Sequence, residues 1–514
     1  MLGLAGAGLF VAALDAYLVV TLLPAMITDV GLTIERFEQA TPLLTGFLCG
    51  YVIAMPLLGA YSDVRGRAPV YALCVVVFAV GSVLTATAGS LPWLVAGRVL
   101  QGLGGGGLVP LTLALAADLY EDRARTLALG AVSGLQEAGS VFGPIYGATL
   151  ASAASAAGGW RFVFWLNVPL AAICAAGLLV ASRDHGNRTA PVDSKADGPA
   201  RTFDNRASDQ ARTFDWKSAG LLGLGLGLLV VALYPDDPDH RATSGLFIPL
   251  GILSLLVLAL YGWRQLRALE PLIPRQLLRS PRFAGVTAAN LLIGAALMVA
   301  LVDVPILGRL VFNLDQLASG LLLTQFLVGV PVGAILGGMV AGRIGERVTA
   351  VLGTLLAAAA FLQMSTWPAT ELAIRMGPFR SADIALAACG LGFGIVIAPL
   401  AATVLQLTRA QHHGLASSLV VLARVMGMLI GLSALTAFGL FRFHQILGTP
   451  ELTDPDVRTR IEHLGRLVAV AFLQEYREIF TIAAIMCILA AVVIFATIRR
   501  DSSEPALTPS APQR

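Results

Sequence analysis

Gly59-Ala60-Tyr61-Ser62-Asp63-Val64-Arg65-Gly66-Arg67 closes one long apolar stretch and opens the next. A degraded copy, Gly338-Met339-Val340-Ala341-Gly342-Arg343-Ile344-Gly345-Glu346-Arg347, holds the same place further along, with Gly342 where the first copy has Asp63. One charged turn used twice at corresponding positions predicts a chain built from two parallel repeats.

The surroundings of the two turns predict lipid as the solvent. The 514 residues are 56% hydrophobic and only 13% charged, with a mean hydropathy of +0.78. A soluble domain carries about 25% charged residues. Spanning ~30 Å of hydrocarbon takes ~20 apolar residues, and about fourteen such stretches occur. They run roughly 2–26, 41–61, 69–88, 92–118, 125–151, 160–182, 216–234, 245–266, 283–310, 317–342, 347–367, 381–408, 413–441 and 478–498. The first lacks a basic leader and contains Asp15, so it reads as a membrane helix rather than a signal peptide.

The expected fold is an all-α membrane protein with fourteen transmembrane helices. A six-helix bundle occupies 1–182 and a solvated linker 183–214. Two inserted peripheral helices follow at 215–267, then a second six-helix bundle at 268–499 and a tail at 500–514. With both termini cytoplasmic, 22 of the 35 Lys and Arg residues fall on the cytoplasmic side and 11 on the periplasmic side. Arg98 and Arg424 lie within helices. That bias orients the chain.

Several function classes drop out. Net charge is +3, too little for a nucleic-acid surface. The only lysines, Lys195 and Lys217, have no phosphate-loop context, so ATP-driven pumping is excluded. No G-x-S-x-G occurs, nor a Ser or Cys beside an arranged His, which argues against an acyltransferase or lipase. Cys49, Cys74, Cys174, Cys389 and Cys487 sit in apolar runs without C-x-x-C spacing and read as packing residues. His412 and His413 lack a ligand cluster and read as loop histidines; no metal or cofactor is expected.

The remaining ionisable residues in apolar stretches are costly and call for a partner or a cavity. Asp15, Glu137 and Arg424 each lie ~17–18 Å from the cytoplasmic end of their helix, near the midplane. A carboxylate near an arginine can exchange partner and proton, as a proton-coupled cycle requires. Arg98 lies ~9 Å from the other surface, within reach of water by snorkelling. Asp303 falls near the periplasmic end of its helix. Asp63 is placed to meet the N-terminus of the helix starting near Gly414, where exposed N–H groups favour a carboxylate. The glycines of 125–151 allow close backbone approach, and Gly329, Gly333 and Gly337 offer a matching face.

The stretch from about 442 to 478 is long for a periplasmic loop. Ile461, Leu464, Val468, Ala471 and Phe472 recur at helical spacing, with Arg458, Arg460, Glu462 and Arg466 on the other face. Both flanking helices are therefore expected to extend outward, by ~30 Å for ~20 added residues.

The motifs coincide in one family. Gly59 to Arg67, with Asp63, Arg65, Gly66 and Arg67 as a conformational latch, resembles the loop signature of the major facilitator superfamily. Arg98-Val99-Leu100-Gln101-Gly102 is similar to its helix-four motif. Gly130, Gly134, Gly139, Gly143, Pro144 and Gly147 are similar to its antiporter motif. Leu14-Asp15, Leu23-Pro24, Trp160-Arg161 and Asn167-Val168-Pro169 resemble the fourteen-helix drug:proton antiporter branch. Leu297-Met298, Leu301 to Val304, Gln411-His412, Gly414, Ala423-Arg424, Gly427 to Gly431 and Gly439 to Leu447 resemble mycobacterial lipid and multidrug exporters paired with a periplasmic lipid-carrying lipoprotein. The resemblance implies proton-coupled export of triacylglycerides and related lipids from the inner membrane, with multidrug efflux, and links Arg98 to the coupling. Lipid substrates, protons and the lipoprotein are its implied partners. An apolar cavity wall is expected at Leu297, Met298, Met426 and Met428. A small-molecule drug:proton antiporter without a lipid role stays open, as does a docking scaffold.

Overall fold

A computed structural model describes residues 1–31, 41–153, 159–188, 214–233, 245–268, 271–376, 379–447 and 457–498. The first half contains α1 (Leu2–Asp29), α2 (Thr41–Arg65), α3 (Arg67–Thr87), α4 (Leu91–Leu119), α5 (Asp122–Ala153) and α6 (Trp160–Arg188). The inserted pair is α7 (Trp216–Leu233) and α8 (Phe247–Arg267), followed by the single turn α9 (Arg275–Leu278). The second half contains α10 (Pro281–Leu310), the short α11 (Gln316–Leu322), α12 (Thr324–Ile344) and α13 (Glu346–Met364). It ends with α14 (Ser381–Gln406), α15 (His413–Leu447) and α16 (Val457–Thr497).

Fourteen of these helices have 18 residues or more, as the stretches predict. Thirteen are long and apolar enough to cross a membrane; the exception, α5, carries Asp122, Arg123, Arg125 and Glu137. Helices suit that solvent because each satisfies its own backbone groups. Among the described residues the only strands are two antiparallel two-residue pieces, β1 (Arg375–Met376) and β2 (Phe379–Arg380), between α13 and α14. The linker expected at 183–214 begins later than the sequence suggests, because α6 continues to Arg188. Residues 189–213, 448–456 and 499–514 lie outside the described residues.

The repeat is visible in backbone geometry. Gly66 (φ 91°, ψ 154°) and Gly345 (φ 87°, ψ 155°) occupy matching places and start α3 and α13. That conformation is unstrained only for glycine, so this residue persists in the second copy where Asp63 does not. The close seat of Gly102 and Gly106 on Phe47 and Tyr51 recurs as Gly390 and Gly394 on Phe326 and Val330.

The halves meet through reciprocal pairs, α2 with α15 and α5 with α12. These seams lie toward the basic end of the bundle, which carries Arg65, Arg67, Arg123, Arg125, Arg343 and Arg347. Gly59 touches the backbone of Gly414, and Gly130 touches Ala334 and Gly338. The expected facing of Gly329, Gly333 and Gly337 toward the glycines of α5 is corrected: they pack on Ala387, Leu391 and Ile395 of α14. Of the α5 glycines, Gly139, Gly143 and Gly147 pack on α1 instead, against Ala13, Leu14 and Leu18.

The inserted pair is peripheral. α7 packs on α2 through Gly223 and Gly227 against Ile53 and Leu57, and touches α15 where Ser433 donates to the Leu233 carbonyl at 2.6 Å. α8 is the least buried of the apolar spans. At the basic end Arg264 of α8 holds Asp215, which also accepts from Ser218. Burial opposes the charge on Asp215, but these hydrogen bonds outweigh it and hold the carboxyl below its ordinary 3.8.

Candidate functional site

Asp15, Glu137 and Arg424, with Arg98, form two pairs. Asp15 of α1 and Arg98 of α4 are both 0% exposed, and Arg98 Nη1 donates to Asp15 Oδ2 at 2.6 Å. Asp15 Oδ1 accepts from Asn167 of α6 at 2.7 Å and from Gln101 at 3.1 Å. Gln101 donates to Ser82 of α3 at 2.9 Å, and Arg98 also donates to Gln101 Oε1 at 3.0 Å. The Phe47 ring of α2 caps the guanidinium at 4.3 Å. This polar knot ties five helices of the first half together. The expectation that Arg98 snorkels to water is corrected: its helix lies inside the bundle, and Asp15 supplies the counter-charge that water would have supplied. Arg98 Nε and Nη2 are buried with no hydrogen-bond partner among the described residues.

The second pair crosses between the halves. Arg424 of α15 stands 3.2 Å from Glu137 of α5. Tyr17 of α1 and Tyr51 of α2 share its electrostatic surroundings. Gly294 of α10 packs directly on the Arg424 carbonyl, so the helix bearing the guanidinium is seated closely. The grouping of Asp15, Glu137 and Arg424 by depth thus resolves into one internal pair and one bridging pair. Depth comes from counting residues, whereas partnership depends on helix rotation.

At the basic end a third cluster joins the halves. Asp63 Oδ1 accepts from the Gly414 amide and Oδ2 from the Leu415 amide, each at 2.9 Å. A carboxylate thereby satisfies N–H groups that the first turn of α15 leaves open. Arg67 holds Asp63, donates to Asp118 of α4 at 3.1 Å and reaches the Ala410 carbonyl at 3.2 Å. Gly66 forms the turn, while Arg65 closes α2 and is exposed. His413 is corrected from a loop residue: it starts α15, is buried, and its Nδ1 shares a hydrogen bond with Asp118 at 2.8 Å. Asp118 does not stand out in sequence, and His413 does so only as a loop histidine, because each gains its role only when α4 and α15 meet.

The remaining candidates disperse. Leu297 and Met426, each 7% exposed, belong to the continuous apolar core; Met298 and Met428 are half-buried. A groove of about 490 Å³ lies elsewhere, between α3 and α6, lined by Val76, Val80, Val168 and Ala172. α16 runs unbroken for 41 residues and α15 for 35. At 1.5 Å per residue these reach roughly 60 Å and 50 Å, well beyond ~30 Å of hydrocarbon. Arg442 clamps the two arms through both oxygens of Glu478, at 2.6 and 2.8 Å. The hydrogen bonds to Glu478 hold the Arg442 guanidinium above its ordinary value. Val468 and Phe472 are half-buried on α16, while the side chains of Ile461, Leu464 and Pro144 lie outside the described residues.

A family model described as Major Facilitator Superfamily matches residues 5–432. The chain is 39% identical over 495 residues to the triacylglyceride transporter of Mycolicibacterium smegmatis, covering 94% of this chain and 84% of that protein. It is 40% identical over 449 residues to the triacylglyceride transporter of Mycobacteroides abscessus, covering 86% and 83%. Its fold is similar to that of the human organic anion transporter MFSD10, with a TM-score of 0.58, 18% identity, and coverage of 96% and 98%.

Proposed function

The chain belongs to the major facilitator superfamily and is a membrane transporter rather than an enzyme, and from that premise we propose that it is a proton-coupled lipid exporter. Its substrates are triacylglycerides and related lipids, with small-molecule drugs carried as well. The bridging pair Glu137–Arg424 is the observation that supports this reading most. It joins the two halves near the midplane, so a rocking motion of one half against the other changes its geometry. Protonating Glu137 removes its charge, releases Arg424 and lowers the cost of separation.

Asp15–Arg98 is the second coupling element in this reading. Moving Asp15 away from Arg98 in a buried site favours its protonated form, so helix motion and proton uptake drive each other. The Asp63 latch closes the basic end, assigned here to the cytoplasm with both termini. Export then runs toward the periplasm from the inner membrane.

The lipid substrate is supported by relatives near 40% identity that are named triacylglyceride transporters. The arms of α15 and α16, with Ile461, Leu464, Val468 and Phe472 as an apolar stripe, then shield an acyl chain or dock a periplasmic lipid-carrying lipoprotein.

Purified protein in liposomes tests the proposal. A fluorescent triacylglyceride and a small cationic dye are followed with and without an imposed pH gradient. Gradient-dependent movement of the lipid, lost on shortening both arms by matched turns, is expected. Gradient-driven movement of the dye alone would leave a drug antiporter instead.

A further inference from the structure

At the end opposite the basic end, α10, α15 and α16 enclose carboxyl groups that the pairs above leave unused. Glu475 of α16 is 6% exposed, and its Oε2 is buried without a hydrogen-bond partner among the described residues. Its Oε1 lies against Gly439 of α15, where any Cβ would collide with it. Asp303 stands on α10, which packs against α16.

Among the described residues of α15 and α16 nearest to Glu475, both arginines are committed elsewhere. Arg442 of α15 is taken by both oxygens of Glu478. Arg477 turns to the Trp367 carbonyl, at 2.9 and 3.1 Å. Tyr476 stacks beside Phe472 and contributes no positive charge. α13, which also packs on α16, carries its only charged residues, Glu346 and Arg347, at its far end. A buried carboxylate without a cation costs several kcal/mol, so the group keeps a proton instead. A second carboxyl within range adds to that preference.

We propose that Glu475, with Asp303 as its partner carboxyl, is a proton-binding site of the second half, distinct from Asp15 and Glu137. The ligand is a hydrogen ion from the water phase at this end. It adds to one carboxylate oxygen of Glu475 and returns to water when α15 and α16 part. Gly439 supplies the room: its missing side chain leaves space for the carboxyl beside the α15 backbone.

Infrared spectroscopy of the whole protein in lipid nanodiscs, stepped from about pH 5 to about pH 10 to bracket carboxyl titration, reads protonated carboxyl groups directly. It requires no substrate or gradient, so failure of the export proposal leaves this result unaffected. A protonated-carboxyl band present at neutral pH in the wild type should be missing in Glu475→Gln and retained in Asp15→Asn. Asp303→Asn should lower the titration midpoint of the Glu475 band by about one pH unit, since it removes the like charge. An unchanged spectrum in correctly folded Glu475→Gln overturns the site. Should that variant not fold, an unmoved midpoint in Asp303→Asn overturns it equally.

Discussion

Arg98 donates to Asp15 at 2.6 Å in a region that solvent does not reach. Two helices that the chain separates by α2 and α3 are thereby fixed at one depth. The pair is internal to the first half, whereas Glu137–Arg424 spans both halves. Their responses to mutation should differ accordingly.

Asp15→Asn removes one charge and leaves Arg98 buried without a counter-ion. Such a loss costs about 3–5 kcal/mol. A clear fall in the thermal midpoint is expected in detergent, and most of it should return in the double variant Asp15→Asn/Arg98→Met. A single variant as stable as wild type would show that the pair is uncharged in this state.

Glu137→Gln should act on transport more than on folding, since Glu137 is half-buried and its partner sits beside the seam between the halves. A drop of at least about tenfold in gradient-driven transport is expected, equivalent to about 1.4 kcal/mol. Spin labels on α5 and α15 should report a shifted distance distribution. Wild-type transport from this variant would remove the bridging pair from the cycle.

Asp63→Asn leaves one neutral acceptor where the carboxylate accepts from the amides of both Gly414 and Leu415, so one of these charge-assisted hydrogen bonds weakens and the other is lost. Bonds to charged groups contribute about 1.5–3 kcal/mol each. The basic end should open more often. A cysteine introduced at Ser417, which bonds the Pro110 carbonyl across the seam, should then react several times faster with a water-soluble maleimide. Equal rates in both backgrounds would mean that something else holds this end closed.

Asp215 provides a pH test outside the membrane spans. Its folded carboxyl is depressed below 3.8, so its stabilisation is fully present above that value. It is lost as pH falls through the folded value. The pair with Arg264 is partly exposed and contributes at most about 1 kcal/mol. Asp215→Asn should lower the thermal midpoint slightly at neutral pH, and the difference should close in strong acid. A gap that persists there would point to packing rather than charge.

The order of helices, the repeated turn and the insertion were legible along the chain, because each depends on local composition. Gly66 and Gly345 are the clearest case: the turn conformation dictates glycine wherever it occurs. The positions of Asp15, Glu137 and Arg424 along their helices were likewise readable, since rise per residue is fixed. Which charge meets which was not. Asp15 chose Arg98 over Arg424, and Asp118 found His413, because pairing depends on helix rotation and on which backbones approach through glycine. Glu475 shows the same division: its charge is written in the sequence, but the isolation of its Oε2 among the described residues arises only where α10, α15 and α16 close around it.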